Sequence, residues 1–227
     1  MESDAIASSS MTALSYALAD GSLTSTHLVE TYLDRIRELD THLHAWVDVY
    51  AQGALAAAQS ADLARQSGHS LGPLHGIPIG IKDIIDIEGR ITTGGSLEWA
   101  QRVSPTTATL VKRLVGAGMI VLGKTHTVEF AMGGWGTNTG MGTPRNPWDW
   151  QTHRAPGGSS AGSGVAVAAG MVSAAIGTDT GGSVRLPSAW NGLTGLKTTI
   201  GRVSCHGVLP LSTTLDTPGP MCKSAQD

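Results

Sequence analysis

Two glycine-rich turns, each carrying a serine, lie 24 positions apart (183 minus 159) and constrain this chain more than any other feature. The first reads Gly157-Gly158-Ser159-Ser160-Ala161-Gly162-Ser163 and the second Gly177-Thr178-Asp179-Thr180-Gly181-Gly182-Ser183-Val184-Arg185. Glycine lets a backbone turn sharply and lets other groups approach its amides. Two such turns with a hydroxyl on each are what a site needs to attack a carbonyl and hold the resulting oxyanion, so the pattern points to acyl transfer. The 30 glycines are spread over many turns and form no low-complexity tract, so disorder is not implied.

With 227 residues and 41% hydrophobic content the chain can bury a real core. One domain over 1–227 is the expectation, with a helical region at 1–70 and a catalytic α/β core at 71–227. The formal net charge is −3, and no basic run or aromatic-basic interleaving appears, which argues against direct nucleic-acid binding. Met1-Glu2-Ser3-Asp4 lacks the features of a secretory signal, and no apolar run approaches the roughly 18 residues of a membrane span. Cys205 and Cys222 are too few and too far apart for a disulfide framework or a redox pair. A reducing, cytoplasmic setting is expected, with no membrane partner.

Helical spacing of Leu28, Val29, Tyr32, Leu33, Ile36 and Leu39 predicts a helix that Thr24 or Ser25 caps. Ala54 to Ala64 predicts a second, with Gly68 as a stop. Ile77 to Ile87 reads as a buried strand with Lys82 in its middle. Thr107 to Val115 reads as an amphipathic helix, and Met119 to Leu122 as a short buried strand. Residues 133–158 are loop-like, the small residues from Ser159 to Ala169 suit a tightly packed helix, and Met171 to Ile176 is another strand candidate. Helix and strand in repetition predict an α/β fold, a mixed sheet surrounded by helices.

Serine hydroxyls are weak nucleophiles until a base takes the proton. The segment Gly76-Ile77-Pro78-Ile79-Gly80-Ile81-Lys82-Asp83 places one lysine, Lys82, in an apolar run. Bringing its pKa from about 10.4 to about 7 costs on the order of 4–5 kcal/mol, which burial among isoleucines could supply. Asp83 would oppose this if close, but strand alternation puts it on the other face. Taken alone, such a lysine reads as a solvated residue at a strand edge; the two serine loops reverse that reading. Gly158-Ser159-Ser160-Ala161-Gly162 also fits a G-x-S-x-G elbow, with Ser160, Asp179 and His206 in order, but no strand precedes it. A phosphate loop would need a Lys and Ser/Thr after its glycine, and none follows. The histidines form no HExxH, and His42-Leu43-His44 suits a surface pair better than a metal site.

The two serine loops together with the lysine segment resemble the amidase signature hydrolases, over nearly the whole chain from Leu23-Thr24-Ser25 to Leu215-Asp216-Thr217-Pro218-Gly219-Pro220. Members of that family are about twice as long, so the resemblance implies a chain truncated at its C-terminus. It implies Ser183 as nucleophile, Ser159 as a proton relay after a cis Gly158–Ser159 bond, and Lys82 as base. The backbone amides of Thr180, Gly181, Gly182 and Ser183 are the candidate oxyanion hole. Ser160 can hydrogen-bond within the site in that family, although Ser160 and Ser163 also read as helix-start serines. Asp179 and Arg185 are expected to brace the nucleophile loop as an ion pair. Met132, Gly133, Gly134 and Trp135 match a pocket-side segment, while Trp190 and Asn191 could as well be packing. The implied activity is hydrolysis of a small-molecule amide, with no metal or organic cofactor and a homodimer left open as an assembly. Two alternatives remain. One is the glutamine-hydrolysing A subunit of a tRNA-dependent amidotransferase, where the segment after the nucleophile usually reads Ile-Arg-Gln-Pro rather than Val184-Arg185-Leu186-Pro187. The other is a non-catalytic fragment.

Overall fold

The computed structural model describes all 227 residues. Helix α1 (Ser3–Ser8) and helix α2 (Met11–Asp20) lead into the long helix α3 (Ser25–Leu43). The Thr24 hydroxyl accepts from the His27 amide at 3.1 Å, the N-cap the sequence predicts. Leu28, Val29, Tyr32, Leu33 and Ile36 form its buried stripe. The helix ends where His44 turns left-handed (φ 53°), and the Asp40 carboxylate catches the amides of Ala45 and Trp46. That turn sends the chain into strand β1 (Trp46–Val49), which interrupts the region expected to be all helix. Helix α4 (Ala51–Gln66) follows, and Gly68 lies just beyond its end in the left-handed region, φ +79°.

Six strands form one mixed sheet: β1, β2 (Pro78–Lys82), β3 (Ile120–Thr125), β4 (Ala174–Asp179), β5 (Thr194–Gly195) and β6 (Thr217–Cys222), in the spatial order β1-β3-β2-β4-β6-β5. The central β3–β2 and β2–β4 pairs are parallel and the outer pairs antiparallel. Every residue of β2 and β4 is buried, as expected of strands covered on both faces. Helix α5 (Thr109–Gly116) precedes β3, helix α6 (Ala161–Ala168) precedes β4, and helix α7 (Arg185–Trp190) follows it.

Other elements differ from the expectation as well: β3 runs on to Thr125, past the expected end at Leu122, and β6 is not among the predicted strands. The strand predicted over 77–87 stops at Lys82, whose carbonyl accepts from the amides of Ile84 and Ile85 at 2.9 and 3.0 Å and so closes a tight turn. The strand predicted over 171–176 begins three residues later and runs on to Asp179. Strand β6 contains Pro218 and Pro220, which cannot donate to a ladder. Its second neighbour, β5, is only two residues long, so their missing amides are tolerated.

Helix α6 sits close over the sheet because it is built of small residues. A Cβ at Gly162 would lie 2.2 Å from the Ala45 carbonyl oxygen and 2.3 Å from the His126 nitrogen, so only glycine fits there. Because β2 and β4 are adjacent and parallel, their C-terminal ends, Lys82 and Asp179, emerge at the same edge of the sheet.

Candidate active site

Lys82 closes β2 and is completely buried. Its Nζ lies 2.7 Å from the Ser159 hydroxyl and 2.8 Å from the Thr178 hydroxyl, and it makes no ion pair. Burial brings its pKa from 10.5 down to about 7, against the attraction of Asp179 and Asp216. Asp83, the adjacent residue, points elsewhere. Its carboxylate accepts from Lys124 Nζ at 2.7 Å, from the Thr93 amide at 3.0 Å and from the Thr93 hydroxyl. Lys124 is thus a second fully buried lysine beside the site, missed in the sequence. The signal was there: Lys124 extends the apolar run that begins at Met119, as Lys82 extends that of Ile77 to Ile81.

The first serine loop is built into the interior. The Gly158–Ser159 peptide is cis. The Ser159 carbonyl accepts from the Val128 amide and the Thr127 hydroxyl, both at 3.1 Å, and the Gly158 amide donates to the Gly134 carbonyl at 2.7 Å. Ser160 precedes α6, but its hydroxyl does not cap that helix. It bridges to β4 instead, accepting from the Thr178 amide at 3.2 Å and donating to the Thr178 carbonyl at 3.3 Å. Gly177 makes room for it, since a Cβ there would meet Ser160 Oγ at 2.6 Å. Both serines do stand at the start of α6, Ser160 just before it and Ser163 in its first turn, where the Ser163 hydroxyl lies 2.7 Å from that of Thr125.

The second loop hangs from one carboxylate. Asp179, its side chain fully buried, accepts from the amides of Gly182 at 2.8 Å, Val184 at 3.1 Å and Arg185 at 3.3 Å. The Arg185 guanidinium grips both of its oxygens, Nε and Nη2 each at 3.0 Å. Burial alone would raise the Asp179 pKa, but these donors outweigh it and hold the carboxyl below the usual range. Lys197 donates to the Asp179 carbonyl at 2.8 Å, and the Thr180 hydroxyl donates to Asp216. The amides of Thr180, Gly181 and Ser183 are left without partners. Gly182, included in the expected oxyanion hole, has its N–H committed to Asp179, which removes it from the free donors.

Ser183 is half-buried, and its hydroxyl makes no hydrogen bond to Ser159 or any other group. The two loops nevertheless touch, because the Ser160 amide donates to the Ser183 carbonyl at 3.2 Å. The alternative trio is not assembled: Ser160 faces β4, Asp179 holds Arg185, and His206 is exposed.

Left-handed residues Phe130 (φ 45°) and Ala131 (φ 61°) turn the chain into the segment 132–135. Met132 and Trp135 project outward, 74% and 67% exposed, while Gly134 touches Leu186 and holds the first loop. The Trp135 ring meets that of Trp190 at 5.5 Å between centroids. Asn191 is packing: it is buried and donates to the carbonyls of Pro156 and Pro187. His42 stacks on Trp150, and no group of three or more His, Cys, Asp or Glu side chains is gathered for a metal. No helix is long and apolar enough to cross a membrane.

The amidase family profile matches residues 27–227. The chain is 48% identical over 217 residues to the A subunit of the glutamyl-tRNA(Gln) amidotransferase of Chloroflexus aurantiacus, covering 96% of this chain and 44% of that protein. Among solved structures, it is 41% identical to the peptide amidase of Stenotrophomonas maltophilia, with a TM-score of 0.89, covering 96% of this chain and 45% of that one. It is 28% identical to a fatty acid amide hydrolase, with a TM-score of 0.92, covering all of this chain and 40% of that one. The chain thus spans less than half the length of the relatives it matches. With a family profile over most of its length and a sheet that superposes on known amidases, the chain belongs to the amidase signature family.

Proposed function

We propose that this chain carries the nucleophile and base of an amide hydrolase. The observation that supports this best is a buried lysine whose only polar partners are two hydroxyls, one belonging to a serine whose loop is bonded to a second serine loop. Neutral Lys82 would accept the Ser159 proton as Ser159 takes that of Ser183. The Ser183 oxygen bonds to the amide carbon, and the carbonyl oxygen becomes an oxyanion facing the free amides of Thr180, Gly181 and Ser183. Collapse breaks the C–N bond, and the proton stored on Lys82 returns through Ser159 to the leaving nitrogen. Water then attacks the acyl-Ser183 ester by the same relay and releases a carboxylate. The Ser183 hydroxyl has to come within hydrogen-bond reach of Ser159 before attack. Every step is carried by side chains and backbone amides of this chain.

A second reading, the glutamine-hydrolysing component of an amidotransferase, is supported by the identity of 48% to a protein of that kind. Against it stands Leu186, packed near Gly134 and Gly182, where those proteins usually carry glutamine. The two are separated by assaying ammonia release from glutamine against release from simple primary amides, with and without the partner subunits. The common core of both is tested by treating the chain with a fluorophosphonate and mapping the adduct. Modification of Ser183 alone is expected; a folded chain that takes up no probe would refute it.

A further inference from the structure

The Lys82 amine works as a base only while no carboxylate is free to pair with it, and its own neighbour in sequence is a buried aspartate. Asp83 has no contact with water, so its charge must be compensated inside the protein. Lys124 does this on the opposite face of the sheet. The register places Lys124 beside Ile81 and Thr125 beside Lys82, so the two lysines point to opposite sides of adjacent strands. Lys124 also donates to the Thr92 hydroxyl at 2.8 Å, and Thr92 accepts from Ser104, itself bonded to Asp86. Arg102 neutralises Asp86 with contacts of 2.7 and 3.1 Å. Two anions and two cations therefore close a balanced set behind the site. On the other side, Lys82 meets only the Ser159 and Thr178 hydroxyls, with Asp179 and Asp216 acting at a distance. Asp179 is itself compensated by Arg185 and Lys197, and beyond Asp83 lies Tyr50, with Asp48 and Arg90 near it.

We propose that Lys124 is a positioning residue for the base: by fixing and neutralising Asp83 behind the sheet, it keeps Lys82 from acquiring a carboxylate partner. This rests on the amide-hydrolase reading of the site. A purely structural role for the pair predicts that changing either partner weakens folding but leaves the ionisation of Lys82 alone. An electrostatic role predicts a pattern of signs. Removing only the cation exposes Lys82 to an uncompensated anion and raises the pH at which it becomes a free base. Removing only the anion exposes it to an uncompensated cation and lowers that pH. Removing both restores the original value.

The test is the rate of fluorophosphonate labelling of Ser183 against pH in the unaltered chain, Lys124→Met, Asp83→Asn and the double variant. We expect the midpoint of the acid limb to rise by about half a pH unit or more in Lys124→Met and to fall by a similar amount in Asp83→Asn, a range set by charges interacting at an effective dielectric near 20. It should return in the double variant. Equal midpoints in all four chains would overturn the proposal while leaving the hydrolase reading intact. An unaltered chain that is folded but never labelled would overturn both. Should Lys124→Met not fold, Asp83→Asn decides alone: it keeps the size of the side chain, and an unmoved midpoint in it rejects the role.

Discussion

The two serine loops are made of similar residues yet are finished to different degrees. Around Ser159 most groups are committed: its hydroxyl accepts from Lys82, its carbonyl from Thr127 and Val128, and its neighbour Ser160 bonds to β4. Around Ser183 the scaffold is equally tight, with Asp179 collecting three amides and a guanidinium, but the reactive atoms are idle. The hydroxyl and three amides have no partner, on residues that are half-buried or, at Gly181, exposed. Unsatisfied donors in a folded protein have a cost, so leaving them together in one turn makes sense if a substrate oxygen supplies what is missing. The Lys82 side is built in advance, and the Ser183 side is held open.

The largest effect should come from removing the open side. Ser183→Ala is expected to lower amide turnover by about 10⁴-fold or more with no change in the melting temperature beyond a degree or two; substantial residual turnover would mean that the loop is not the nucleophile's.

Next comes the finished side. Lys82→Met should lower labelling of Ser183 by about 10²–10⁴-fold, the range for general bases, and abolish its pH dependence. In the unaltered chain the rate should climb as pH rises through about 7 and level off above, because the reactive form is the unprotonated amine. The same change should stabilise the fold. The folded pKa, about 7, lies below the unfolded value of 10.5, so Lys82's contribution to stability is complete only above pH 10.5 and is lost as pH falls to 7. That deficit is at most about 5 kcal/mol. After the two lost hydroxyl contacts, a gain on the order of 2 kcal/mol at pH 7 is expected from Lys82→Met, read from urea unfolding. A less stable variant would show that the amine is not held against its preference.

Asp179→Asn should loosen the open loop without touching its reactive atoms. A drop of about 10–100-fold in turnover is expected, the scale of losing part of an oriented donor set, with the midpoint moved below pH 7, because the Asp179 charge holds the Lys82 pKa up. Because the Asp179 pKa is depressed, its stabilisation is present above the unfolded value of 3.8 and lost as pH falls through the lower folded one. The variant should therefore differ least from the parent chain in acid unfolding. The smallest effect belongs to Trp135→Ala. This exposed ring touches Trp190 and no reactive group, so a few-fold rise in KM with unchanged kcat is expected.

The fold class was legible in the sequence, and so were the segments that meet around Lys82, but individual strands were not. Glycine-serine strings mark turns directly, and Lys82 stood out as a charge in an apolar run. Strand β6 was hidden by Pro218 and Pro220, which argue against a strand unless its outer neighbour is known to be short. Strand β1 was hidden because four residues between two helices carry no visible alternation. The committed amide of Gly182 could not have been read at all. It depends on which way the Asp179 carboxylate turns, and that is decided by Arg185 and the loop together.

The parallel pairing of β2 and β4 has a consequence for how the molecule tolerates change. Lys82 and the anchor of the Ser183 loop are set relative to each other by neighbouring rungs of one backbone ladder, Gly80 against Ala175 and Ile81 against Ile176. The long excursion between those strands contributes Ser159 but does not set their spacing. Its surface turns, such as the stretch around Asp149 to Arg154, should therefore accept insertions or exchange without altering the placement of Lys82 relative to Asp179. A single-residue deletion inside either strand would turn Lys82 or Asp179 to the wrong face.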